Sequence, residues 1–240
     1  GSLDEVVTRD YLLSRDAQLI VNVLDATNLE RNLYLTVQLL EMRVPLVVAL
    51  NMMDVARRRG IRIDAEELAR RLGCPVIPVV AVTKEGLTEL QARILAAADG
   101  RESAGTPLGH GDCVEEAVTA LAPRLSAHDG DGNARWLALK LLESDPTAEA
   151  SASPGLLALA AQWRGQIADR IGEDADLHIA DTRFGHAHAL ADRVVRERGR
   201  AGRTLSDRID RVVLSRALGI PLFLLAIGLV IFCSLAFVGG

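Results

Sequence analysis

Asn51 and Asp54 stand three residues apart in Asn51-Met52-Met53-Asp54, directly after the apolar run Leu46–Leu50. In open parallel sheets, ligands sit at the carboxyl ends of strands. A carboxylate in such a loop accepts two N–H bonds at once. Guanine offers that pair from N1 and N2, and adenine does not. Asp54 is therefore the candidate selector of guanine, with Asn51 bridging this loop to its neighbour and meeting the base edge near N7. An isolated Asn-x-x-Asp is also ordinary turn chemistry. A second loop adds weight. The run after Val76 ends in Val80-Ala81-Val82-Thr83-Lys84-Glu85-Gly86-Leu87. Ala81 and Val82 at a strand end let a backbone N–H approach guanine O6, and Gly86 turns the chain into the next helix. Two base-facing loops on adjacent strands are far more specific than either alone.

Positioning these loops requires a particular set of elements. Gln18–Asp25 (QLIVNVLD), Leu46–Leu50 (LVVAL) and Val76–Val82 (VIPVVAV) are short, β-branched apolar runs. Such runs suit parallel strands buried on both faces. Helical patterns lie between them at 29–42, 64–72 and 88–98. Asp64 with Glu67, and Thr88 with Gln91, read as capping boxes. The alternation predicts a parallel α/β sheet with right-handed crossovers. Near residue 100 the composition shifts, and GRESAGTPLGHG at 100–111 reads as a linker. From Cys113 to about Arg200 no strand is expected. Helices are expected at 114–125, 135–143, 154–171 and 186–198, forming a small all-α domain.

From Ala217 to Val238 no charge interrupts ALGIPLFLLAIGLVIFCSLAFV. At about 1.5 Å per residue that run reaches roughly 30 Å, the thickness of a bilayer core. Arg203, Arg208, Arg211 and Arg216 precede it. The positive-inside tendency then puts residues 1–216 on the cytoplasmic side of a lipid bilayer. Asp4, Glu5, Arg9 and Asp10 interrupt any early apolar run, so no signal peptide is read there. Net charge is −5 and aromatics are 3%; no basic, aromatic-rich surface for nucleic acid is indicated. Three scattered cysteines without CxxC argue against a disulfide framework or a zinc site. His186 and His188, two apart, do not share a helix face. They and His110 are read as solvated histidines, with no metal site. Arg57-Arg58-Arg59 is read as a solvated loop.

The paired loops resemble the guanine-recognition half of small GTPases. Met52 stands where the usual motif has Lys packed along the base, and Val80 where many GTPases have Ser. Met52 resembles the FeoB branch of ferrous iron transport proteins. So do Asp25-Ala26-Thr27-Asn28-Leu29-Glu30-Arg31-Asn32-Leu33-Tyr34-Leu35 with Gln38–Glu41, and Arg135-Trp136 with Lys140–Glu143. Asp181-Thr182-Arg183-Phe184 is a fainter match. Asp207–Arg211 with Leu218-Gly219-Ile220-Pro221 also fits. The resemblance implies guanine binding by Asn51, Met52, Asp54, Ala81 and Val82. It implies a partial P-loop-GTPase-like α/β domain at 1–99, a linker at 100–112 and a helical spacer domain at 113–203. A juxtamembrane segment and first transmembrane helix follow at 204–240. It further implies GTP/GDP with Mg2+, Fe(II) as the transported ion, and a bacterial inner-membrane location. The missing first half of the GTPase domain and later spans would be its partners. Strand 18–25 would then lie at an exposed sheet edge. The alternatives are a membrane-anchored α/β interaction module or remnant without nucleotide function, and a ribosome-type GTPase fused to an anchor.

A phosphate-binding loop needs GxxxxGK(S/T), whose lysine reaches the phosphates. The lysines here are Lys84 and Lys140, followed by Glu85 and Leu141. Neither fits. Phosphoryl transfer rests on positioning and electrostatic stabilisation by such loops. The 240 residues by themselves are expected not to hydrolyse GTP; magnesium-dependent phosphate release by the purified chain would overturn this.

Overall fold

The computed structural model describes residues 19–98, 105–129 and 134–197. Three parallel strands, β1 (Ile20–Asp25), β2 (Leu46–Asn51) and β4 (Val76–Pro78), form a sheet in the order β1-β2-β4. β2 is the middle strand, and Leu46 through Leu50 are all buried, as a strand covered on both faces requires. On one face Leu24, Val48 and Leu50 meet Leu33, Val37 and Leu40 of helix α1 (Leu29–Glu41). On the other, Val47, Ala49, Ile77 and Val79 meet Ala97 of helix α4 (Leu87–Ala98). Among the described residues β1 lies at the edge of this sheet and turns Val21 and Val23 outward. Its one buried polar side chain, Asn22, donates to Thr36 Oγ1 at 3.0 Å, so burial leaves it satisfied.

Two short helices follow the strands. Helix α2 (Met53–Arg58) comes directly after β2, and α3 (Ala65–Leu72) runs back toward β4. Asp64 caps α3 as its spacing suggests, its Oδ1 accepting the Glu67 N–H at 2.9 Å. α4 begins at Leu87, so Thr88 lies inside the first turn and does not precede it. The third strand stops at Pro78, short of the expected Val82. Pro78 cannot donate to a ladder; the last sheet-like bond runs from Val79 N–H to Leu50 O, and the chain then folds on itself between Val80 and Glu85.

The second part is helical: α5 (Asp112–Asp129), α6 (Ala134–Leu142), α7 (Pro146–Ser151), α8 (Pro154–Ile171) and α9 (Ala175–Val194). α7 and α8 each start with Pro after a capping Asp145 or Ser153. Val114, Ala117 and Leu121 pack with Leu139, Leu142, Leu156, Ile167 and Ile179 in a core of their own. α9 starts well before the expected residue 186 and spans both cores. Its Ile179 belongs to the helical core, while Ala187, Leu190, Ala191 and Val194 join the core of the sheet. Its end corrects the expectation of a strand-free second half. Val195–Glu197 (β5) pairs antiparallel with β3 (Arg62–Ile63). Strands of two and three residues leave too little period for pattern reading to find. Among the described residues, no helix is long and apolar enough to cross a membrane. The segment Ala217–Val238 lies outside them.

At the joint of the two cores sits a buried ionic cluster. Arg183 on α9 donates through Nε and Nη2 to Glu41 Oε1 and Oε2 at 2.9 and 2.8 Å. Its Nη1 and Nη2 also reach Glu143, just past α6, at 2.5 and 3.1 Å. His110 lies 2.9 Å from Glu41 through Nε2 and 2.7 Å from Thr182 Oγ1 through Nδ1. Glu41, His110 and Arg183 are all essentially inaccessible to solvent. This corrects the reading of His110 as solvated. Burial pushes the Glu41 carboxyl up, but hydrogen bonds and charge from His110 and Arg183 outweigh it and hold it below the usual range. Burial likewise raises Glu143, and Arg183 with Lys140 brings it lower than usual.

Removing one partner of a buried pair leaves an uncompensated charge, at a cost of about 3–5 kcal/mol. Arg183→Met should destabilise the folded chain by that order, read from denaturant melts in detergent. The two depressed carboxyls also set a pH dependence. Their stabilisation is complete above the ordinary glutamate range, about pH 4.5, and is lost as pH falls through their lower folded values. Melting temperature should therefore drop on acidification below that point, and less steeply in Glu41→Gln.

Candidate functional site

β2 delivers Asn51 to the carboxyl end of the sheet, and the next residue leaves the strand abruptly. Met52 has φ +62, in the left-handed region, and this turn starts α2 at Met53. A non-glycine residue there is uncommon and marks a constrained backbone. The result places Asp54 in the first turn of α2 and leaves the Met52 side chain 40% exposed. Met53, by contrast, points into the core. The two central methionines of the motif thus divide between surface and interior.

The neighbouring loop is tied to this one. Ala81 N–H donates to Asn51 Oδ1 at 3.2 Å, and Met53 N–H reaches Val79 O at 3.5 Å. The bridging role read for Asn51 is thus carried by a side-chain oxygen that holds the other loop's backbone. Val80 N–H donates to Glu85 O, and Thr83 and Lys84 N–H groups bond back to Val80 O and Ala81 O. The loop is a small knuckle with Val82 at its tip, 95% exposed. Val80 is buried in the sheet's core, so the position where many GTPases carry Ser is here an apolar anchor. Gly86 leaves the knuckle at φ +79, and a Cβ on it would lie 2.2 Å from Pro78 O. Only glycine fits there without displacing backbone.

The electrostatics come from α2. Arg58 Nη2 donates to Asp54 Oδ2 at 2.8 Å, an i,i+4 pair. Arg57 Nη2 donates to Glu85 Oε1 at 2.8 Å, and Glu85 raises the Arg57 guanidinium further above its ordinary range. The arginine run therefore belongs to a helix and to its C-cap at Arg59, not to a loop. Sequence reasoning missed both pairs. The one signal available was the four-residue spacing of Asp54 and Arg58. A further carboxylate, Asp25, closes β1 at the same end of the sheet. Burial pushes it up, yet hydrogen bonds from Thr27 and Asn28 hold it lower than usual. It serves as the cap of the turn Ala26–Asn28.

The five residues read from the sequence fall into one neighbourhood. Asn51, Met52 and Asp54 sit on one loop, and Ala81 and Val82 on the loop tied to it. Asn51 and Ala81 touch directly; Asp54 makes its bond to Arg58, and no bond joins Met52 to Val82. Among the described residues no cluster of His, Cys, Asp and Glu could hold a metal ion. His186 and His188 diverge, to Gly109 O at 2.6 Å and to Glu30 at 3.0 Å.

Comparison with known proteins places this geometry in context. Residues 1–94 match the family profile of ferrous iron transport protein B, and residues 110–196 match the FeoB cytosolic helical domain. The Fe(2+) transporter FeoB of Escherichia coli (strain K12) is 39% identical over 227 residues, covering 93% of this chain. The chain spans 28% of that relative's length. The mGMPPNP-bound NFeoB of S. thermophilus is 31% identical, with a TM-score of 0.75 over 82% of this chain and 75% of that one. The cytosolic domain of L. pneumophila FeoB gives 31% identity and a TM-score of 0.69, with the same coverage. The α/β sheet with its helices is thus the GTPase-like fold of FeoB cytosolic domains, and the chain belongs to the FeoB family of ferrous iron transport proteins.

Proposed function

We propose that this chain is the guanine-recognising, cytoplasm-facing part of a bacterial inner-membrane Fe(II) transporter whose uptake depends on GTP. In this reading residues 1–99 carry the base-recognition part of a GTPase domain. Residues 113–203 form a helical spacer, and Ala217–Val238 is the first membrane span, with residues 1–216 cytoplasmic. GTP and Mg2+ belong to the intact transporter, because no residues here fit the phosphate-binding loop.

One observation carries the reading. Two loops at the carboxyl ends of adjacent parallel strands are joined by Asn51 Oδ1 and the Ala81 N–H, with Asp54 and Met52 beside them at the surface. In the proposed complex Asp54 accepts from guanine N1 and N2, the backbone N–H of Val82 meets O6 while Ala81, held by Asn51, sets its position, and Met52 covers a face of the ring. The solved S. thermophilus relatives bound to GMPPNP and to GDP support a guanine nucleotide as the ligand of the family. A site built to hydrogen-bond a donor pair rejects a base lacking it strongly, since the site's polar groups would be left unpaired.

Neutral nucleosides isolate the base site from phosphate contacts. Saturation-transfer NMR on the full chain in detergent should show guanosine contact and little from adenosine. Charge-assisted hydrogen bonds contribute about 1.5–3 kcal/mol, so Asp54→Ala should weaken guanosine binding roughly tenfold or more. Equal signals from the two nucleosides, or indifference to Asp54→Ala, would favour an interaction module without nucleotide function.

A further inference from the structure

In the base-site reading the knuckle Val80–Gly86 must hold Ala81 and Val82 at a fixed distance from Asp54; buried Val80 anchors its start, and its outer part has few ties. Its tip packs against nothing among the described residues, with Val82 95% exposed. The internal bonds from Val80 to Glu85 fix its shape but not its position. Gly86 pins its exit, close over Pro78 O. Toward α2 (Met53–Arg58), two side-chain ties remain. One is the 3.2 Å bond from Ala81 N–H to Asn51 Oδ1; the other is the 2.8 Å ion pair between Arg57 and Glu85. Glu85 lies at the base of the knuckle, paired to Val80 through its backbone. Holding Glu85 therefore fixes the outer turn that runs between it and the anchored Val80. Arg57 lies three residues beyond Asp54, one turn along the same helix.

We propose that Arg57 is a positioning residue for the guanine site, clamping the Ala81–Val82 loop to the helix that carries Asp54 through Glu85. The inference rests on the base-site reading above. Arg57 does not touch the base. It sets the separation between the carboxylate that reads N1 and N2 and the Val82 backbone N–H that reads O6. Both partners are about half exposed, at 55% and 53%. The clamp is therefore weak and open to screening. Exposed ion pairs of this kind change equilibria by about two- to fourfold. A modest clamp suits a site that must release its base as well as hold it, and it makes guanine affinity a function of ionic strength.

The test uses the full chain in detergent with guanosine, whose neutrality removes any direct effect of salt on ligand charge. Arg57→Gln should lower guanosine saturation transfer by about two- to fourfold with an unchanged melting temperature. Raising salt from about 0.05 to 1 M, which shortens the screening length several-fold, should bring the chain that keeps Arg57 down to the level of the variant. Both salt comparisons are made in an Arg58→Gln background, which removes the exposed Arg58–Asp54 pair, and there the same step should leave Arg57→Gln unaffected. The double exchange of Arg57→Glu with Glu85→Arg should restore binding, which a merely structural role for either residue would not predict. Guanosine binding that depends on Asp54 but is indifferent to Arg57→Gln, or a double exchange that fails to restore it, overturns the clamp and spares the base site. Guanosine binding indifferent to Asp54→Ala overturns both.

Discussion

A carboxylate with no exposed surface must be answered from several sides, and Glu41 is answered by both parts of the chain. It ends helix α1, whose other face packs on the sheet, and its partners His110 and Arg183 come from the connecting segment and from α9. Taking ions of this kind out of water costs several kcal/mol each. Only near-complete coordination repays that, and the bidentate Arg183 fork with Glu143 behind it approaches such coordination. The apolar contacts beside it are individually worth about 1.5–3 kcal/mol per fully buried side chain. They are non-directional and tolerate sliding. The ionic cluster does not: a shift of an ångström would strand a buried charge. It therefore fixes the register of α9 against α1, while Ala187, Leu190 and Val194 supply most of the attraction.

That division of labour contrasts with the carboxyl end of the sheet. There the ion pairs Arg57–Glu85 and Arg58–Asp54 are exposed and screened. Their energies are smaller than those of one buried leucine. Rigidity at that end comes instead from backbone: the left-handed Met52, the Gly86 turn and the bond from Val79 to Leu50 across β2 and β4. The strands set where the loops begin, and weak side-chain ties set how they face one another. A stable joint between the cores and soft loops at the proposed base site are two outcomes of one variable, access of water to the charges.

The three parallel strands, most of the longer helices and the nearness of the five candidate residues to one another are legible because each leaves a local trace. β2 is a continuous apolar run, α3 has a capping Asp64, and Asn51 and Asp54 follow a strand end. What escaped was what depends on partners far along the chain. Glu41 and Arg183 are 142 residues apart, and nothing local in Gln38–Glu41 or Asp181–Phe184 says that they meet. The FeoB resemblance marked both stretches, yet only the fold shows that Glu41, Glu143, Thr182 and Arg183 belong to one cluster. His110 was read as solvated for the same reason: its burial is a property of α1 and α9, not of the linker that carries it. Pro78 shortened β4 and was visible in the sequence, but the apolar run beyond it outweighed that signal in the reading.

The buried cluster also joins the sheet to the helical part through a single helix. α1 starts beside the Asp25-capped turn at the carboxyl end of β1 and finishes at Glu41. The two ends of that helix meet different surroundings, a partly exposed turn and a buried ionic joint. The exposed pairs near Asp54 can break and reform at small cost, but the Glu41 cluster cannot, because its ions have no water to turn to. α9 is held to α1 there, and Ile179 on the same helix belongs to the helical core. The same bonds that fix the joint make it stiff. Charge is dry and fixed where the two cores meet and wet and exchangeable beside Asp54, so the same kind of bond gives rigidity in one place and adjustability in the other.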